Sequence, residues 1–213
     1  MKNKIVYILS LILIITAIAC KKDGKTPDTK TTPPPPPVNE EELITTVKLM
    51  FTDSATSLVS TFTFEDADGD GGNPGVFSGT NQSDSVVMLS ANKTYSLEIL
   101  FLDVTKNPVD TISNEVLEEG AEHLVFFNMT NLTGNPYKIT LPGSGVQITY
   151  LDLDDGTPQR GIGLSTLVRT GANSGIMNHP FTVSLKHQPD NVKDGTYAPG
   201  ESDVEIPFKI KVN

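Results

Sequence analysis

The chain has 213 residues, with 16 Lys and Arg against 26 Asp and Glu, and a net charge of −10. From Glu40 onward, 10 basic residues face 24 acidic ones, a net charge of −14, which excludes nucleic acid as a partner because polyphosphate binds positive surfaces. The single cysteine, Cys20, excludes an internal disulfide.

The first twenty residues predict an exported lipoprotein. Lys2 and Lys4 precede a mostly apolar run, 5–19, that ends at Cys20. This run is shorter than the roughly 20 apolar residues of a membrane-spanning helix and is typical of a signal peptide. The stretch "TAIAC" resembles the lipobox of bacterial lipoproteins. We therefore predict a signal peptide over 1–19 and lipid attachment (palmitate or a similar acyl chain) at Cys20, with ordinary secretory cleavage nearby as the alternative.

Residues 20–39 are predicted to form a tether between the lipid and the folded domain. The segment is polar and contains five consecutive prolines, 33–37, which favour a polyproline II rod of about 3.1 Å per residue. Lys21 directly after the cysteine resembles lipoproteins that are sorted to the outer membrane. The sequence leaves open which face of that membrane carries the domain.

Residues 40–213 are predicted to form one all-β domain, because apolar and polar residues alternate with a period of two. The turn-rich segments between these runs are typical of an antiparallel β-sandwich of the immunoglobulin-like or jelly-roll type. Nine strands are expected, at 43–52, 57–65, 84–89, 94–104, 123–129, 146–153, 162–170, 181–186 and 204–212. One short helix is expected at 113–120, capped by Ser113 or Asn114 and stopped by Gly120. Pro207 predicts that the last strand lies at a sheet edge.

The loop "FEDADGDGGN" resembles the first half of an EF-hand calcium loop. Asp66, Asp68 and Asp70 alternate with small residues, but Phe77 stands where that loop has its bidentate Glu. We predict a calcium site at these three aspartates, and the alternative is an acidic turn rich in glycine. A second acidic turn, "DLDDG" at 152–156, follows another predicted strand.

The chain is not expected to be an enzyme, and no catalytic residue is assigned. It has no HExxH, GxSxG, phosphate-loop or paired CxxC motif. His179 and His187 lie on one predicted strand about 26 Å apart, too far to share an ion. His123 follows Glu118, Glu119 and Glu122, a candidate carboxylate and imidazole cluster, but Gly120 argues against a helix that would join Glu119 to His123.

Three short patterns match the Asp, Ser or Thr, then apolar motif on which some bacteria attach sugars to exported proteins. They place the candidate acceptor hydroxyls at Ser54, Ser85 and Thr111.

Several stretches together resemble a family of outer-membrane lipoproteins of Gram-negative bacteria that is commonly labelled type 1 periplasmic-binding protein. They are "NEEELITTVKLMFTDS", "FTFEDADGDGGN", "EVLEEGAEHLVFF", "FTVSLKHQPD" and "GESDVEIPFKIKV". The resemblance implies an outer-membrane location. The family label also implies a two-lobed α/β fold, from which the period-two pattern of this chain departs.

The function expected is that of a membrane-anchored, non-enzymatic binding or interaction lipoprotein, accessory to an outer-membrane transporter or another envelope protein. The alternatives are a small-ligand or metal-capturing protein and, third, a hydrolase with scattered acidic residues. A deep cavity with convergent polar groups would favour capture, whereas a filled core with bare loops would favour interaction.

Overall fold

The computed structural model describes residues 42–69, 72–80, 85–173, 175 and 177–213. The predicted signal peptide, Cys20, the tether and Asp70 lie outside these residues. Eleven strands and one helix are described: β1 (Thr46–Asp53), β2 (Val59–Glu65), β3 (Val76–Gly79), β4 (Val86–Leu89), β5 (Thr94–Leu102), α1 (Ile112–Glu118), β6 (His123–Phe127), β7 (Lys138–Leu141), β8 (Val146–Tyr150), β9 (Ser165–Thr170), β10 (His179–His187) and β11 (Glu201–Val212).

The strands form two sheets that pack face to face, which confirms the predicted all-β sandwich. The larger sheet has the order β3-β2-β1-β5-β9-β8-β7, and the smaller one has the order β4-β11-β10-β6. Every described pair is antiparallel except β11 with β4, which is parallel. The smaller sheet is therefore mixed.

The core consists of the apolar residues that alternate with polar ones along each strand. On β1, for example, Val47, Leu49 and Phe51 are buried, while the residues between them are partly exposed. Aromatic rings connect the two sheets: the ring centroids of Phe181 on β10 and Phe51 on β1 are 6.5 Å apart. Burial of such side chains is the main favourable term in folding.

Two strands, β3 and β7, were not predicted from the sequence. β3 and β7 have only four residues each, "VFSG" and "KITL". An alternation of period two is visible only once or twice within four residues, so pattern alone does not separate such strands from loops.

The predicted edge position of the last strand is wrong, because β11 lies between β10 and β4. The backbone N–H of Lys209 donates to Ser85 O at 2.8 Å, so Pro207, with the same parity, directs its nitrogen toward the β4 side. The β11–β4 pairing begins only at Lys209 opposite Val86. The missing N–H of Pro207 therefore falls before this ladder starts, and no described ladder hydrogen bond is lost.

The predicted helix is confirmed, but its predicted cap is wrong. Thr111 occupies the N-cap position and makes no side-chain hydrogen bond there. The Ser113 hydroxyl is buried and instead accepts a hydrogen bond from the backbone N–H of Phe101 at 2.7 Å. This bond fixes the helix against β5.

The strand registers define two ends of the sandwich. We call the end where β1 begins, at Thr46, the entry end, because the chain from the predicted tether arrives there. The opposite end, where β1 stops at Asp53, is the far end. Helix α1 and the loops after Glu65, Tyr150 and His187 lie at the entry end, because the neighbouring strands begin or finish there.

Candidate functional site at the entry end

The acidic loop after Glu65 is attached to the start of β1. The backbone N–H of Asp66 donates to Thr45 O at 2.7 Å, and the N–H of Gly69 donates back to Asp66 O at 3.1 Å. Gly69 has a φ of 56°, in the left-handed region that favours glycine. The loop therefore curls back on itself at the point where the sequence predicts a metal-binding concavity.

Two of the three predicted calcium ligands lie side by side in this loop. The carboxyl groups of Asp66 and Asp68 are within hydrogen-bonding contact, and Asp68 also accepts a hydrogen bond from Nδ2 of Asn73. The bond from Asn73 is the main reason why the pKa of Asp68 lies below its usual value, and it keeps this carboxylate ionised. Both aspartates line an open cleft of about 340 Å³.

The third predicted ligand, Asp70, lies outside the described residues. Within the part of the chain that the structure describes, no group of three or more His, Cys, Asp or Glu side chains is placed to hold a metal ion. The calcium site at Asp66, Asp68 and Asp70 therefore stays a prediction, supported by the contact between its first two carboxylates.

The second acidic turn uses its carboxylates to hold backbone. The two oxygens of Asp152 accept hydrogen bonds from the N–H groups of Gly163 and Ser165, at 2.8 and 3.0 Å. Asp154 is buried and forms an ion pair with Lys193, whose Nζ lies 2.8 Å from Oδ2. This turn is therefore organised by the protein itself.

His123 and His187 form a stacked pair that the sequence did not reveal. β6 and β10 place them opposite each other, and their ring centroids are 4.8 Å apart with an interplanar angle of 25°. Nε2 of His187 lies 3.4 Å from Oε2 of Glu122. Burial, reinforced by the charge of His187, lowers the pKa of His123 to about 4, so its ring is neutral at neutral pH.

As expected, no helix joins Glu119 to His123, because α1 stops at Glu118. A turn nevertheless brings the two residues together, and Glu119 O accepts a hydrogen bond from the His123 backbone N–H at 3.2 Å. Nδ1 of His123 lies 3.3 Å from the same oxygen. A turn, rather than a helix, makes this contact. The separation of His179 and His187 at opposite ends of β10 agrees with the sequence.

A further acidic contact lies where the described chain begins. The Glu42 carboxyl forms a hydrogen bond with the Glu115 side chain on α1, and Asp203 and Glu119 add their negative charge. Burial comes first among the causes that raise the pKa of Glu42 to about 7, followed by the charge of Glu115. The entry end therefore contains several titratable groups that were not predicted as a unit.

The three predicted glycosylation positions differ in exposure. Ser54 is exposed in the turn after β1, whereas Ser85 and Thr111 are half-buried. Glycosylation at these hydroxyls stays a prediction.

Comparison with known proteins gave no family model, no curated protein and no solved structure that matches this chain. Among the described residues, no helix is long and apolar enough to cross a membrane.

We expect millimolar calcium to raise the melting temperature of the detergent-solubilised protein. At tenfold excess over Kd, an ion that binds only the folded state stabilises it by about 1.4 kcal/mol. That corresponds to a shift of about 3–6 °C for a domain of this size. Asp68→Ala should remove the shift, whereas Asp155→Ala, an exposed position in the other acidic turn, should retain it. Equal melting temperatures in calcium and in chelator would contradict the site.

We expect Glu42 to make folding stability fall as pH rises from about 4.5 to about 7. A carboxyl whose pKa is raised in the folded state binds its proton more tightly there than in the unfolded chain, so deprotonation favours unfolding. Glu42→Gln should therefore melt at a higher temperature than wild type at pH 8, and the difference should shrink toward pH 4.5.

The control for this pH series is Glu118→Gln. Glu118 lies on α1, as Glu115 does, but it is not among the groups that act on Glu42. Melting curves of the three proteins across the pH range make the comparison. A Glu42→Gln protein whose pH profile parallels that of wild type would show that the carboxyl pair has no influence on stability.

Proposed function

We propose that the protein is a membrane-anchored, non-enzymatic binding or interaction lipoprotein of the cell envelope, and that it serves another envelope protein such as an outer-membrane nutrient transporter. The observation that carries this proposal is the filled interior. Rings from both sheets, including Phe51, Phe101, Phe127, Tyr150 and Phe181, are almost completely buried between the sheets.

The described clefts lie on the surface and are open. They have volumes of about 260 to 420 Å³. Three are lined by turns or by outward-facing strand residues, and the fourth, of about 370 Å³, opens at the entry end where Phe64 of one sheet faces Val204 and Ile206 of the other. A protein that captures a small ligand buries most of the ligand's surface in a concave pocket. The filled core and the open clefts therefore favour binding through the exposed surface.

Charge is distributed unevenly between the two ends of the sandwich. Acidic side chains crowd the helix and loops of the entry end: Asp66, Asp68, Glu115, Glu118, Glu119, Glu122, Asp152, Asp154, Asp155, Asp190 and Asp194. The strand segments nearer the far end carry Arg169, Lys209 and Lys211. An acidic end is repelled by anionic lipid headgroups.

The far end presents exposed apolar side chains away from the acidic loops. Leu58, in the turn after β1, is 71% exposed, and Met177, just before β10, is 65% exposed; at the entry end Val76 is exposed to a similar degree, but it lies beside the acidic loop. Apolar and flexible side chains such as these supply contact area at protein interfaces. We therefore assign the interaction to the far end, where a partner would cover apolar surface without burying the acidic groups.

A metal-capturing protein is the second candidate. The contact between the Asp66 and Asp68 carboxyl groups favours it, because a divalent cation that displaces the proton between them would gain two adjacent oxygen ligands. If the protein captures a metal ion, the acidic loop is its principal site. Metal capture needs no protein partner.

We expect Cys20→Ser to lose the membrane fraction. Without the thiol no acyl chain can be attached, and the tether contains no apolar stretch that would hold the protein to a bilayer. Fractionation of cells followed by a high-salt wash measures this. Retention of Cys20→Ser in the washed membranes would contradict the lipid anchor.

We expect a photoreactive amino acid at position 58 or 177 to cross-link to the same envelope protein in living cells. Positions 109 and 117 serve as matched controls, because Val109 and Leu117 are exposed to a similar degree, 52% and 57%, at the entry end. Adducts from these controls alone would contradict the far end as the interaction surface. Absence of a protein adduct from all four positions would contradict the interaction function and favour capture.

A further inference from the structure

Lys193 and Asp154 form a buried pair that the proposed function does not use. Their side chains are only 1% and 4% exposed, and Nζ lies 2.8 Å from Oδ2. Nζ also donates to Gly120 O at 2.6 Å. The pair thus connects the loop after β10, the loop after β8 and the turn after α1.

The two carboxyl oxygens of Asp154 have different hydrogen-bond partners. Oδ1 accepts hydrogen bonds from two backbone N–H groups, those of Gly156 at 3.2 Å and Arg160 at 2.8 Å. Oδ2 faces Lys193. Two backbone N–H groups directed at one oxygen of a carboxyl group form an arrangement that stabilises negative charge on that oxygen during acyl transfer.

The amine nitrogen is also close to the carbon that it would attack. A C–O bond adds at most about 1.2 Å to the distance between Nζ and Oδ2, so Nζ lies within about 4 Å of Cγ. Reactive conformers have about 3 to 3.5 Å between the reacting atoms. A small rotation of either side chain would cover the difference.

We propose that Lys193 and Asp154 condense into an isopeptide bond between Nζ and Cγ, so that the mature domain carries an internal covalent cross-link. This modification is independent of the interaction assigned to the far end.

The reaction balances without any further reactant. The ammonium first transfers a proton to Oδ2, which gives a neutral amine and a carboxylic acid. The amine then attacks Cγ, and the negative charge develops on Oδ1, where the N–H groups of Gly156 and Arg160 stabilise it. A second proton passes from nitrogen to Oδ2, the bond between Cγ and Oδ2 breaks, and one water leaves.

Burial favours the neutral amine that the reaction needs. It lowers the pKa of Lys193, although the hydrogen bond and charge of Asp154 and the charge of Asp152 act in the opposite direction. A buried site of low polarity disfavours separated charges and excludes the water that would reverse the condensation.

The cross-link would stabilise the folded domain in the way that an internal disulfide stabilises many exported proteins. Cys20 is the only cysteine, so no internal disulfide is available to the domain. Asp154 and Lys193 are 39 positions apart in the chain, and both lie in loops at the entry end. A covalent bond between them would close these loops and restrict the unfolded chain.

Peptide mapping of the full protein, isolated from membranes and digested with trypsin, tests the proposal. Trypsin cuts after Lys and Arg, so Asp154 lies in fragment 139–160 and Lys193 ends fragment 187–193. An amide at Lys193 blocks cleavage there. We expect a branched species that joins 139–160 to 187–209 and is lighter than their sum by one water, with fragmentation placing the link at Asp154.

Two variants accompany the wild-type map. Lys193→Arg should lose the branched species, whereas Lys93→Arg should keep it, because the Lys93–Asp53 ion pair at 3.2 Å is exposed and takes no part. Recovery of linear 139–160 and 187–193 from wild type, without the branched species, would overturn the proposal and leave an ordinary buried ion pair. A link at Asp152 or Asp155 would also overturn it. The wild-type map decides even if Lys193→Arg fails to fold.

Discussion

The packing of the two sheets depends on Phe127 and Phe181, because each of these rings contacts a ring of the larger sheet. They stack within the smaller sheet, with centroids 5.5 Å apart and almost parallel planes. From there, Phe181 reaches Phe51 of the larger sheet and Phe127 reaches Tyr150. The Tyr150 hydroxyl is also satisfied, because it donates to Val125 O. These rings fill the space between the two sheets in the described part of the domain, at the close packing usual for protein interiors.

In a sandwich with an apolar core, the polar side chains and unpaired backbone groups lie at the ends of the strands. The chain reverses direction there, and these groups need hydrogen-bond partners. The entry end collects most of these groups. There, the buried ammonium of Lys193 contacts Asp154, and the His187 ring lies against the partly exposed Glu122. An unpaired buried charge would cost far more than a hydrogen-bonded one, so these loops are held in place by the same groups that make them chemically distinctive.

The sequence predicted the strands because burial on one face imposes a period of two, and β1 and β11 show this alternation clearly. It did not predict which strand lies beside which, because many registers satisfy the same alternation. The stacking of His123 on His187 depends on the pairing of β6 with β10, and the ion pair of Lys193 depends on where a long loop folds back. Pro207 shows the same limit, because its effect on the sheet depends on where β4 begins pairing.

The acidic loop after Glu65 was recognisable because its ligand types are close together in the chain, whereas the buried pair of Lys193 and Asp154 was not. Local spacing is enough to place Asp66 beside Asp68, since only one residue separates them. Thirty-nine positions separate Asp154 from Lys193, so their contact depends on how the loops after β8 and β10 are placed in the folded domain. This difference has a physical consequence. A metal at the acidic loop can act on a local segment, but chemistry between Lys193 and Asp154 requires the folded domain, because only the folded domain excludes water and directs two backbone N–H groups at one carboxyl oxygen.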